Sequence, residues 1–191
     1  FKIVVACIPA GMVVVLGLDE VCEEKFYHAV PVAIALIVFG IAFIIIERRN
    51  KGKEAQVNSL EEITFKTALI IGMFQLIAAL FPGTSRSGAT IVGALLIGVS
   101  RTVSSEFTFF LAIPVMLGAS LLKMLKIGFA FTGMELTILG VGTVVAFAVS
   151  VIVIKFLMDY IKKHDFQVFG WYRIVLGAIV ILLGVTGVIA A

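Results

Sequence analysis

Five long apolar runs dominate the chain, at residues 3–18, 29–46, 107–122, 136–158 and 174–191. Each approaches the ~20 residues that carry a helix across a ~30 Å hydrocarbon core, so the pattern predicts five membrane-spanning helices. The first run is apolar from its second or third residue and lacks the basic start of a signal peptide, so the chain is expected to begin inside a span. Pro31 falls in the first turn of its span, where proline is tolerated. Pro114 is interior and predicts a kink.

One stretch breaks this rhythm. Ser59-Leu60-Glu61-Glu62 reads as a capping box, which predicts a helix starting near Leu60 and stopping before Pro82. Its apolar part, 67–81, is 15 residues. That is roughly 22 Å of helix, too short to cross. A polar turn follows at 82–88, then a second short apolar run at 89–99. Two short helices around a polar turn predict a re-entrant hairpin.

Charge supports the hairpin. If it enters and leaves on one side, Lys2, Arg48, Arg49, Lys51, Lys53, Lys66, Arg101, Lys155, Lys162, Lys163 and Arg173 share that side, eleven basic residues. Lys25, Lys123 and Lys126 face the other, three in all. A single crossing through 67–99 would instead divide the same residues eight to six. The positive-inside rule selects the hairpin and expects the C-terminus and the loop at 19–25 on the outer side.

Composition removes the competing classes. The chain is 61% hydrophobic and 14% charged, against about 45–50% and about 25% in a soluble domain. An all-α integral membrane protein follows. The net charge of +3 sits in short loops between apolar runs, where it sets topology, and no nucleic-acid partner is expected. Cys7 and Cys22 lie about 22 Å apart along a helix, too far for a disulfide. His28 and His164 have no companion at metal-ligand spacing.

The chemistry concentrates in Pro82-Gly83-Thr84-Ser85-Arg86-Ser87-Gly88-Ala89-Thr90. An arginine inside a bilayer costs at least ~2.5–3.5 kcal/mol unless an anion or water compensates it. Ser85, Ser87 and Thr90 surround Arg86 with hydroxyls, and Gly83 and Gly88 let a backbone approach a ligand closely. The turn feeds a helix N-terminus, whose free N–H groups favour an anion. Together these groups suit a phosphate. Alternatively, Arg86 braces the fold against a carboxylate, with Glu106 as the candidate. Gly83-x4-Gly88 only superficially resembles a P-loop, because Ala89 occupies the lysine position and an apolar helix precedes it. Gln75, seven residues before Pro82, either extends the polar site or bonds a neighbouring helix.

Gln75-x6-Pro-Gly-Thr-Ser-Arg-Ser-Gly-Ala-Thr90 resembles the signature of the bacterial undecaprenyl-diphosphatase family, of the bacitracin-resistance type. Gly98-Val-Ser-Arg101, Ser105-Glu-Phe107 and Leu111-Ala-Ile-Pro114 resemble it too. The resemblance implies an inverted-repeat bundle with a re-entrant helix hairpin. Residues 1–47 would be the remainder of the first repeat, 48–66 a cytoplasmic loop and 67–191 the second repeat. It also implies hydrolysis of undecaprenyl diphosphate in the bacterial plasma membrane, recycling the lipid carrier of cell-wall (peptidoglycan) synthesis, at a site opening outward. Arg86, Ser85 and Thr90 would then be catalytic, and Gly83, Thr84, Ser87, Gly88 and Gln75 would bind substrate. Ala79 stands where the family's (Glu/Gln)-x3-Glu element has its second acid. A divalent cation, Mg2+ or Ca2+, is expected to be held by carboxylates of a first half-motif upstream of Phe1. The rival class is a transporter or flippase for an anion or lipid phosphate, since broken helices meeting inside the bilayer also describe secondary transporters.

Overall fold

In lipid every backbone N–H and C=O must be satisfied within the protein, so apolar runs of this length become helices. The computed structural model describes residues 1–128 and 131–186. Among these it forms α1 (Lys2–Val15), α2 (Leu18–Phe26), α3 (Ala29–Asn50), α4 (Phe65–Leu80), α5 (Arg86–Leu96), α6 (Arg101–Ile127), α7 (Gly133–Lys163) and α8 (Gln167–Val185). α3, α6, α7 and α8 are long and apolar enough to cross a membrane, whereas α1 and α4 are apolar but shorter. The chain is an all-α, multi-pass membrane protein.

The five expected spans correspond to α1, α3, α6, α7 and α8, and residues 187–191 of the last lie outside the described residues. A short helix, α2, occupies the expected loop between the first two. α6 continues as helix through Pro114.

The hairpin is present. α4 packs on α5, and the loop before α4 joins the residues after α5. Gln56 and Val57 donate their backbone N–H groups to the Gly98 carbonyl at 2.8 and 3.3 Å, and Ser100 N–H donates to the Val57 carbonyl at 2.9 Å. Entry and exit therefore lie at the same end of the bundle. At the tip, Phe81 meets Phe26 of α2 with ring centroids 5.3 Å apart.

The hairpin's first helix starts later than the capping box suggested. Thr64 is the N-cap, its hydroxyl accepting the Thr67 N–H at 3.1 Å. Glu62 accepts the Asn58 N–H at 2.7 Å instead, closing a turn, and that bond holds its carboxyl below the usual range. Ile63, 1% exposed, drops into the core between turn and helix and fixes the later start.

Two buried clusters meet on either side of α5. Ala6, Ala68, Ile71, Ala94, Val103 and Phe107 join it to α1, α4 and α6. Phe43, Ile46, Ile91, Leu95, Ile161 and Phe166 join it to α3 and to the α7–α8 junction. α3 and α8 cross closely at Gly40 and Gly170, where a Cβ on either would stand 2.7 Å from the other's carbonyl oxygen. Small residues give this kind of approach in membranes, where association rests on packing rather than on exclusion of water.

One ion pair fastens the end where the hairpin enters. Glu47 of α3 is 2% exposed. Arg101, the first residue of α6, donates Nε–H to both carboxylate oxygens at 3.0 Å, and its Nη2 also bonds Oε2. Glu47 Oε1 accepts the Phe166 N–H at 3.1 Å. A single carboxylate thus ties together α3, α6 and the α7–α8 turn.

Candidate functional site

The turn between α4 and α5 is built by two residues with positive φ. Gly83 has φ +89°, and a Cβ there would stand 2.7 Å from the Val32 carbonyl oxygen of α3. Only glycine fits. Ser85 has φ 62° and ψ 117°, the sole non-glycine residue with positive φ among those described. Such a conformation costs on the order of 1–3 kcal/mol and persists only where its surroundings enforce it. It makes Ser85 the N-cap of α5, with its hydroxyl accepting the Gly88 N–H at 3.3 Å and lying 3.3 Å from the Ser87 hydroxyl. The Arg86 and Ser87 N–H groups, in the first turn, have no acceptor among the described residues. They are the orphan donors of a helix start, aided by its dipole.

A second guanidinium converges on this turn. Arg173 of α8 donates Nη1–H to the Thr84 carbonyl at 2.9 Å and lies over the Phe43 ring, 5.7 Å from its centroid. It also packs on Gly88, where a Cβ would stand 3.0 Å from Nη2. Phe43 is seven residues before Asn50, the last residue of α3, so this level is about 10 Å along the helix from that end of the bundle. Sequence reasoning placed Arg173 among the loop charges. The structure corrects this: α8 begins at Gln167, so Arg173 is inside the helix and its side chain turns inward. The only available signal was a lone arginine immediately before an apolar run.

Arg86 is half-buried and makes no ion pair with Glu106. Among the described residues the only salt bridge is Arg101–Glu47, so bracing by a carboxylate belongs to Arg101. Ser87 is exposed, and Ser85 is partly so. Thr90 differs from the expectation that it faces the site. It is 1% exposed, with its hydroxyl 3.1 and 3.0 Å from the Arg86 and Ser87 carbonyls and 3.0 Å from the Thr108 hydroxyl. Its place is that of a strut from α5 to α6. Gln75 and Thr84 are each 1% exposed, and Gln75 Nε2 and the Thr84 hydroxyl have no protein partner. Two buried polar atoms without partners, one on the hairpin's first helix and one in its turn, are a departure from the near-complete pairing of ordinary interiors.

Ser87, Gly88 and Arg173 form the polar side of a cavity of about 120 Å³, and Phe43, Ile91, Phe109, Leu157, Phe166 and Phe169 are among its apolar walls. A much larger cavity, about 900 Å³, lies at the other end of α5. Arginine, serine and threonine make up the donor set at the turn. It does not fit a divalent cation, and among the described residues no three His, Cys, Asp or Glu side chains gather to hold one. These groups suit an anion with several oxygens, adjoining an apolar body.

Comparison with known proteins points the same way. Residues 1–179 match the family described as bacitracin resistance protein BacA. Similar relatives include the undecaprenyl-diphosphatase of Desulfitobacterium hafniense, 68% identical over 95% of this chain and 65% of the relative. Undecaprenyl-diphosphatase 1 of Clostridium acetobutylicum is 61% identical over 95% of this chain and 66% of the relative. An undecaprenyl-diphosphatase of Enterococcus faecalis is 59% identical over 96% and 66% respectively. The chain spans just under two thirds of the length of these relatives. With the match running through nearly every helix described, the chain belongs to the bacitracin resistance protein BacA family.

Proposed function

We propose that the chain carries the phosphate-holding half of an enzyme that hydrolyses undecaprenyl diphosphate to undecaprenyl phosphate and inorganic phosphate. The observation that carries this reading is a turn that holds Arg86, is bonded by Arg173 through the Thr84 carbonyl and leaves two N-terminal N–H groups of α5 free, with neither arginine in an ion pair among the described residues. The names of the relatives support it.

In this reading the diphosphate sits at the start of α5. Arg86 bonds two phosphate oxygens in parallel with its planar fork. Ser87 and the Arg86 and Ser87 N–H groups donate to the remaining oxygens, and Arg173 adds positive charge from the α8 side. Water attacks the terminal phosphorus, the bridging P–O bond breaks, and undecaprenyl phosphate leaves. Catalysis of this kind rests on positioning and on neutralising charge as it develops. Ser85 acts here as cap and shaper of the turn. Its hydroxyl faces Gly88 N–H and Ser87, and among the described residues no base is bonded to it. The prenyl chain extends along the apolar walls next to the turn.

The reading includes a place in the bacterial plasma membrane, with residues 48–66 cytoplasmic, the site opening outward and the C-terminus outside. The charge count supports that orientation. Cysteines introduced at Lys51 and Lys163 should be labelled from the cytoplasm and one at Lys25 from outside. Opposite-side labelling of positions 51 and 163 would contradict it.

Phosphate release by the complete, detergent-solubilised protein tests the enzyme reading. Arg86→Ala is expected to lower it by about 10³-fold or more, the scale of losing an arginine that stabilises a phosphoryl transition state. Arg86→Lys should recover little. Near-normal release per folded molecule from Arg86→Ala would place the site elsewhere. A transporter of an anion or lipid phosphate would release none in detergent.

A further inference from the structure

A cavity of about 900 Å³ lies away from the hairpin turn, at the end of the bundle where α3, α5 and α7 finish. We infer that it is a second anion site, seating the phosphate headgroup of an anionic bilayer lipid.

Six basic side chains line it: Arg49, Lys51, Lys53, Arg101, Lys162 and Lys163. They come from four places in the chain, the end of α3, the loop after it, the start of α6 and the end of α7. Three acids share the lining, Glu47, Glu54 and Asp165, and two of them are engaged. Glu47 is taken by Arg101 and the Phe166 N–H, and Asp165 accepts from Gln167. Arg49, Lys51, Lys53, Lys162 and Lys163 make no ion pair among the described residues. Topology alone calls for basic residues in loops. It does not require segments more than a hundred residues apart to turn their unpaired cations into one concavity.

The volume and the walls select a lipid over a free phosphate. About 900 Å³ is near the top of the range of roughly 300–1,000 Å³ that holds a drug-sized ligand. Leu96 and Ile97, both with accessible surface, contribute apolar lining beside the charges. Leu96 is 41% exposed, on the outer surface of the bundle. Polar charge above an apolar shelf at a membrane helix end matches a phosphodiester headgroup followed by its glycerol and first acyl methylenes. Basic pockets between helices on the cytoplasmic side take headgroups in this way. This assignment does not depend on the chemistry at Arg86.

The test counts bound lipid by native mass spectrometry. The purified complete protein is equilibrated in mixed micelles holding equal dioleoyl phosphatidylglycerol and dioleoyl phosphatidylcholine. The wild type should retain phosphatidylglycerol preferentially. The Lys51→Gln/Lys53→Gln/Lys162→Gln/Lys163→Gln variant should lose that preference by about fivefold per charge removed, the scale for a basic residue at an anionic surface. If it does not fold, the two paired variants, at 51/53 and at 162/163, replace it, each with a smaller loss. Lys25→Gln/Lys123→Gln, at the other end, and Arg86→Ala should leave the preference unchanged, which separates this site from the hairpin turn. Equal retention of the two lipids by the wild type, or an unaltered preference in the lysine variants, would overturn the inference. Millimolar inorganic phosphate should leave the bound phosphatidylglycerol in place. Complete displacement by it would assign the cavity to a free anion and overturn the lipid reading.

Discussion

Arg86 opens α5 and Arg101 opens α6, and the structure treats the two oppositely. Arg101 grips a buried carboxylate with two of its nitrogens, and that carboxylate also satisfies a backbone N–H. Arg86 sits half-buried after a strained turn to which Arg173 is bonded through the Thr84 carbonyl, and among the described residues it makes no ion pair. A charge that costs free energy to bury is compensated in the first region by the protein itself. In the second, on the function proposed above, compensation is left to the phosphate of the substrate. Within one membrane fold, a paired arginine and an unpaired one therefore make different, separable predictions.

The contrast can be broken from either side. The largest effect after loss of Arg86 is expected at the other guanidinium of the turn. Arg173→Ala should cut phosphate release by the complete protein about 10²–10³-fold, as removal of one preorganised donor does. A change below threefold would return Arg173 to a packing role over Phe43. Next comes the staple. Glu47→Gln leaves Arg101 without its counter-charge and should destabilise the protein by about 3 kcal/mol, read as a lowered unfolding midpoint in detergent. The lower end of the usual range applies because the Arg101 side chain is 41% exposed. The smallest effect belongs to the strut from α5 to α6. Thr90→Val keeps the shape but removes the hydroxyl shared with Thr108, and should cost about 1 kcal/mol of stability. Its loss of turnover should follow the loss of folded protein. A far greater loss of turnover would put Thr90 back at the substrate.

Much of this was legible in the sequence, because bilayer thickness turns run length into topology. The short runs on either side of Pro82-Gly83 announced the hairpin, and the positive-inside count closed it on one side. Arg86 announced itself as an ion inside an apolar stretch. Arg173 did not, because it stands at the edge of a run where loop charges are common, and its partner Thr84 is 89 residues away. Thr90 read as a site residue because a hydroxyl one turn into a helix after a phosphate-like turn looks exposed, and only the packing of α6 shows it bonded to Thr108. Ser59-Leu-Glu-Glu62 carried a capping signal that a tighter turn used first, since Ile63 needs the core. Glu47 gave no signal beyond being an acid at the end of an apolar helix. Each of these misses is a long-range pairing or a burial that periodicity does not encode.

On the proposed function the paired arginine builds the fold and the unpaired one serves the substrate. A crossed measurement on the complete protein tests it: unfolding midpoint and phosphate release per folded molecule for Arg101→Ala and Arg86→Ala side by side. Arg101→Ala should lower the midpoint while the folded fraction turns over near normally. Arg86→Ala should keep the midpoint and lose turnover by about 10³-fold or more. If Arg86→Ala instead lowers the midpoint as far as Arg101→Ala does and its folded fraction still hydrolyses substrate, both arginines brace the fold and Arg86 does not hold the phosphate.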